Sequence, residues 1–221
     1  MQTFATTTPI TATLDLPAGR VHLRATDRTD TTVEIRPADP GKTRDVQAAE
    51  QTTVTYTDGV LRIHTPQGKI QYFGPSGSID VTVELPTGSR VEATSTAAEL
   101  DSTGRLGDVA FTGAYRHITL AHTAAVRLTA TDGDVHIGHL DGPADIGTAR
   151  GDIHIGEATG GTVTLETQTG SITVGAAPGV SATLDAGTTH GRIDNTLKNN
   201  GTPELTIRAT TTQGDIVARS L

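Results

Sequence analysis

The sequence predicts an all-β protein: a parallel β-solenoid, single-stranded β-helix-like, with two strands in each rung of roughly 20 residues and a β-rich N-terminal capping region. Three observations carry this reading. Apolar residues alternate with polar ones and do not recur at helical spacing. Turn signals built from Gly, Pro and Asp punctuate the alternating runs. From about residue 90 the alternation becomes a two-strand repeat that continues to the C-terminus.

The first strands are "ITATLDL" (10–16), "VHLRA" (21–25), "TVEI" (32–35), "VLRIH" (60–64) and "IDVTVEL" (79–85), each with the period-2 pattern of a half-buried strand. Pro17-Ala18-Gly19, Asp58-Gly59 and Pro86-Thr87-Gly88 separate them by supplying a fixed φ or tolerating a positive one. One short helix is expected, "KTRDVQAAEQ" at 42–51. Beyond residue 90, one series of apolar positions runs Ile118/Leu120, Val135/Ile137, Ile153/Ile155, Ile172/Val174, Ile193 and Ile216/Ala218, with starts 17, 18, 19, 21 and 23 residues apart. A second series interleaves it: Val109/Phe111, Val126/Leu128, Ala144/Ile146, Val163/Leu165, Ala182/Leu184 and Leu205/Ile207. Each rung therefore holds two strands. A glycine introduces most strands of the first series, as in Gly133-Asp134, Gly151-Asp152, Gly170-Ser171, Gly191-Arg192 and Gly214-Asp215, where a corner needs a permissive backbone.

The whole chain, 1–221, reads as one domain, with 1–89 as the capping part and 90–221 as the solenoid. Stacked about 4.8 Å apart, some six rungs would span roughly 30 Å. The ends of such a stack invite edge pairing. Residues 1–89 are expected to cover one end, and the diverging repeats "GRIDNTLKNNGTPELTIRATTTQGDIVARSL" the other, with Asn200-Gly201 marking a tight turn. Homo-oligomerisation through these ends is the assembly that such a geometry allows.

The order "lPaGrVhL…TVEI…GvLrI…IDVTVELPtGSrVEA", followed by repeated "t.tGdI.ig", closely resembles a family of bacterial β-strand-repeat proteins of unknown function with adhesin-like domains. The resemblance covers essentially the whole chain and is nearest to actinobacterial members without a signal peptide. It implies a β-solenoid with no assigned catalytic activity.

Composition narrows the function classes. Only 34% of the residues are hydrophobic and 3% aromatic, while Gly supplies 25 residues and Thr about a fifth of the chain, a balance suited to short strands and tight turns. A formal charge of −8 argues against a nucleic-acid footprint and against anionic membranes. With no cysteine, thiolate zinc sites, Cys nucleophiles and disulfides are excluded. "MQTFATTTPITATLDL" has no basic segment followed by an apolar run, so a cytoplasmic protein without a membrane span is expected.

Inward Val135 and Ile137 put Asp134 and His136 outside together, and one rung on Asp152 and His154 repeat the arrangement, with His117 and His139 nearby. Asp134, His136, Asp152 and His154 are thus candidates for a divalent-metal or pH-sensitive patch. Against them, Thr173 takes the His position one rung further, and Ser171 and Arg192 take the Asp position. Calcium binding is not expected, because the G-G-x-G-x-D pattern of calcium β-rolls is missing. The Gly-Asp of "RGD" at 150–152 is explained by the repeat, since Gly133-Asp134 and Gly214-Asp215 occur without the Arg. "RPADPGKT" (36–43) lacks the first glycine of a phosphate loop, having Arg36 there, and reads as a turn before the helix. "GPSGS" (74–78) is no nucleophile elbow, and Asp134, Asp152 and Glu157 form a carboxylate group that any regular solenoid with outward Asp would produce. In "TPQGKIQYFGPSGS" (65–78), Tyr72 and Phe73 are candidates for partner binding or for folding back over the open end.

These readings converge on a non-enzymatic structural or protein-interaction solenoid with an unidentified protein partner, no nucleic acid, no membrane and no cofactor. The alternatives are a metal- or pH-responsive sensor built on the Asp/His patch, and a polysaccharide-binding or adhesin-like module.

Overall fold

The structure, a computed structural model, describes residues 1–66, 77–113 and 117–221. Tyr72 and Phe73 lie outside the described residues. The N-terminal elements are β1 (Gln2–Ala5), β2 (Thr11–Thr26), β3 (Asp30–Pro37), α1 (Thr43–Gln51), β4 (Thr53–Thr57), β5 (Val60–His64) and β6 (Ile79–Pro86). The repeat region continues with β7 (Arg90–Gly113), β8 (His117–Asp132), β9 (Asp134–Leu140), β10 (Ala144–Arg150), β11 (Ile153–Ala158), β12 (Gly161–Thr169), β13 (Ile172–Ala176), β14 (Ala182–His190), β15 (Ile193–Thr196), β16 (Leu205–Gln213) and β17 (Ile216–Ser220).

These strands form one continuous hydrogen-bonded sheet, most of which is wound into two parallel ladders. Along the first ladder the order is β5, residues 11–16 of β2, 90–95 and then 108–113 of β7, 125–132 of β8, β10, β12, β16 and β14. Along the second it is β6, residues 19–26 of β2, 97–103 of β7, 117–123 of β8, β9, β11, β13, β17 and β15. One strand from each ladder makes a rung, as the interleaved series predicts. The inward residues of both series pack into one core, with Ile118, Leu120, Ile137, Ile155, Leu165, Ile172 and Leu205 all fully buried.

Spatial order departs from chain order at both ends of the stack, which the repeat spacing does not predict. β2 lies between the β5/β6 rung and β7. The last segment, β16/β17, lies between the β12/β13 rung and the β14/β15 rung. The physical reason is visible in the residues. Leu205, Ile207, Ile216 and Ala218 gain neighbours on both sides and are buried, whereas the segment left outermost carries Asp185, His190, Arg192, Asp194 and Asn195. A polar outermost rung discourages edge-to-edge pairing. Ile193, placed by the spacing in the inward series, is 46% exposed because no rung lies beyond it.

Residues 1–89 do more than cover an end, since β2 and β5/β6 are themselves parallel rungs. The covering is done by antiparallel strands: β3 on β6, β1 on β3 and β4 on β5. Helix α1 matches the expected segment to within a residue. It is pinned by the buried Asp45, whose Oδ1 accepts the Ser78 N–H at 3.0 Å.

The repeated "t.tGd" signature has a stereochemical cause. Gly151 turns the corner between ladders at φ +133°, and a Cβ there would lie 2.1 Å from the Gly133 carbonyl oxygen of the adjacent rung. The Thr three positions before Gly170, Gly214 and Gly191 donates its hydroxyl to a neighbouring corner carbonyl: Thr167 to Gly151 at 3.1 Å, Thr211 to Gly170 at 2.9 Å and Thr188 to Gly214 at 3.0 Å. Corner carbonyls that are partly shielded from water are thereby paired.

Candidate functional site

The structure aligns the residues proposed from the doubled hexapeptide in adjacent rungs. Asp134 Oδ1 accepts the Asp152 N–H at 2.9 Å, and Asp152 Oδ1 accepts the Ser171 N–H at 2.7 Å. The ladder continues through the inserted segment, with the Asp215 N–H donating to Ser171 Oγ at 3.3 Å and Asp215 Oδ1 accepting the Arg192 N–H at 2.8 Å. An acceptor after the corner glycine thus caps the first amide of the next rung, which explains why Asp or Ser recurs there. His136 and His154 pair in register and stack, with ring centroids 4.8 Å apart and planes 4° from parallel. Burial pushes the His154 imidazolium below its ordinary range, and the neighbouring His136 and Arg219 add to this.

Among the described residues, the metal-ligating atoms that converge are those of His122, His139 and Asp141, all within 4.8 Å of one another. Parallel register builds this cluster. Arg105 on β7 faces His122 on β8, His122 faces His139 on β9, and His139 faces Glu157 on β11. Asp141 follows β9 in the turn, where its N–H donates to the Thr123 carbonyl at 3.0 Å and its own carbonyl accepts from Thr159 Oγ1 at 2.9 Å. The anchored backbone aims the carboxylate at the imidazoles. Asp141 Oδ1 lies 3.0 Å from His122 Nε2 and 3.2 Å from His139 Nε2, and Arg105 binds Oδ2 at 2.8 Å. On its other side, His139 Nδ1 lies 3.5 Å from Glu157 Oε2. The two imidazoles meet edge to face at 4.5 Å.

Burial alone would push the Asp141 carboxyl up, but hydrogen bonds from His122 and Arg105 and their positive charge outweigh it and hold the group below the usual carboxylate range. The side chains are half-buried, open enough for an ion or a proton to arrive from solvent. Chemically the cluster offers two ring nitrogens and one carboxylate oxygen converging on one point.

Sequence reasoning noted His139 only as a neighbour of the other patch and missed His122 and Asp141. A signal for the histidines was present. His122 and His139 each stand four residues after the first inward residue of their strands, Ile118 and Val135, so the 17-residue step that aligns those strands also aligns the imidazoles. Asp141 lies in a turn, where no periodicity reports it.

A solved structure of a putative adhesin from Bacteroides fragilis NCTC 9343 is similar to this chain with a TM-score of 0.56 at 15% identity, covering 98% of this chain and 95% of that one. A putative adhesin from Parabacteroides distasonis ATCC 8503 gives a TM-score of 0.45 at 15% identity, with the same 98% and 95% coverage. The first likeness shows a shared fold. No curated protein matches. The family model described as Toastrack DUF4097 matches residues 13–219, nearly the whole two-ladder stack. The chain belongs to the Toastrack DUF4097 family.

Proposed function

We propose that the protein is a non-enzymatic β-solenoid that presents a flat, extended interaction surface to a protein partner, in an adhesin-like manner. The observation that carries the proposal is the outward row of the second ladder. Thr82, His22, Asp101, Thr119, His136, His154, Thr173, Val217 and Asp194 stand side by side, one per rung, in unbroken parallel register. At rung spacing this row is roughly 40 Å long, which suits an elongated partner better than a small molecule. The fold shared with the Bacteroides fragilis protein supports a surface-binding role.

Photo-crosslinking residues placed at Thr119 and Thr173 test this reading in the native host. One defined protein is expected from both positions, and Asp101→Lys should weaken its capture. Baits recovered separately from cytosol and envelope assign the compartment, for which the cytoplasm is our expectation. Turnover of a substrate by the purified protein, or absence of any crosslinked partner from this face, overturns the proposal.

A further inference from the structure

We propose that His122, His139 and Asp141 form a binding site for a divalent transition-metal ion of the zinc class. The geometry carries the argument. Zinc bonds of about 2.0–2.1 Å to nitrogen and oxygen put the ligand atoms of a tetrahedral site roughly 3.3 Å apart. Here Asp141 Oδ1 stands 3.0 Å from one Nε2 and 3.2 Å from the other, and the three candidate ligand atoms lie within 4.8 Å of one another, so an ion can replace the two hydrogen bonds once side-chain rotation draws the ring nitrogens together.

Binding requires the Nε2 nitrogens that now face Asp141 Oδ1 to give up their protons, and the surroundings assist this at His139 and Asp141. A ligating imidazole must be neutral with its proton on the nitrogen away from the metal, and that proton ordinarily finds a carboxylate or carbonyl. His139 turns Nδ1 toward Glu157 Oε2. Arg105 occupies Asp141 Oδ2 through Nε and an Nη, which leaves Oδ1 for the ion. The ligands come from adjacent strands and from a turn fixed by Thr123 and Thr159, so rigid elements position all three. Two imidazoles with one carboxylate select a borderline transition metal over calcium or magnesium, which prefer all-oxygen shells. Three protein ligands leave a fourth, solvent-facing position for water or for a donor from a partner.

The inference does not depend on the proposed interaction function. Equilibrium dialysis of tag-free protein against ZnCl2, read by elemental analysis, tests it directly. About one zinc per chain is expected. His122→Ala and Asp141→Asn should each weaken binding roughly tenfold or more, while the paired change His136→Ala and His154→Ala leaves it intact. No zinc retained by the native chain, full retention after His122→Ala with His139→Ala, or loss after the His136/His154 change overturns it. Wild-type protein supplies a readout independent of any variant's folding. Adding Zn2+ should move the imidazole NMR signals of His122 and His139, and movement confined to His136 and His154 would count against the site.

Discussion

His154 shows how a single position on the repeat becomes an acid-sensitive one. In the neighbouring rungs the same register position holds Thr119 and Thr173, which carry no charge, whereas His136 and His154 stack in adjacent rungs. Burial, His136 and Arg219 lower the His154 pKa from 6.5. The folded state therefore binds fewer protons than the unfolded chain in the window just below that value, and stability rises with pH there. The contribution is complete above about pH 6.5 and is lost as pH falls through the lowered folded value. His154→Thr should accordingly flatten the dependence of Tm on pH between about 7 and 5, as read by thermal denaturation. Parallel Tm profiles for the two proteins would refute this account. At the same scale, the doubled Asp of the hexapeptide is structural, since Asp134 and Asp152 cap amides of the next rung.

Between elements, the corner carries the specificity of the fold. Threonine hydroxyls close the carbonyls, aspartates close the amides, and glycine lets adjacent rungs approach. Gly151→Ala forces a side chain into a left-handed conformation at φ +133° and places Cβ 2.1 Å from a backbone oxygen. The conformational part alone costs about 1–3 kcal/mol, and the clash adds to it. A fall in Tm of several degrees is expected, whereas Gly147→Ala, with open space around the added methyl, should change Tm little. Equal effects at the two positions would mean that the corner is less constrained than its geometry requires. The signature "tGd" was legible in the sequence as a turn, but the Thr-to-carbonyl and Asp-to-amide bonds were not. They join residues from 16 to 41 positions apart that only stacking brings together.

For the whole molecule, the insertion of the last segment makes the C-terminus a structural centre. β14 pairs only with β16, and β15 only with β17, among the described residues. Deleting residues 203–221 should therefore release 182–196 as well, and hydrogen exchange should show both segments unprotected together. In sequential stacking the same deletion would trim one terminal rung and leave 182–196 protected, so persistent protection there would contradict the observed order. The buried positions 205, 207, 216 and 218 make the loss substantial, because each deleted apolar side chain is packed from both sides.

The sequence by itself determined the all-β class, the two-strand rung, the inward residues from Val109 to Ala182 and the single short helix, because period-2 alternation and turn chemistry are local properties of the chain. Its spacing also held the alignment of His122 with His139. Only the tertiary structure decided that β2 and β16/β17 are interior rungs, that Ile193 lies at an edge, and that Asp141 turns back onto the two imidazoles. Strands of one repeat share nearly the same pattern and can pair with any neighbour, so their order is set by which segment leaves the least apolar surface and the fewest backbone groups exposed at the ends of the stack.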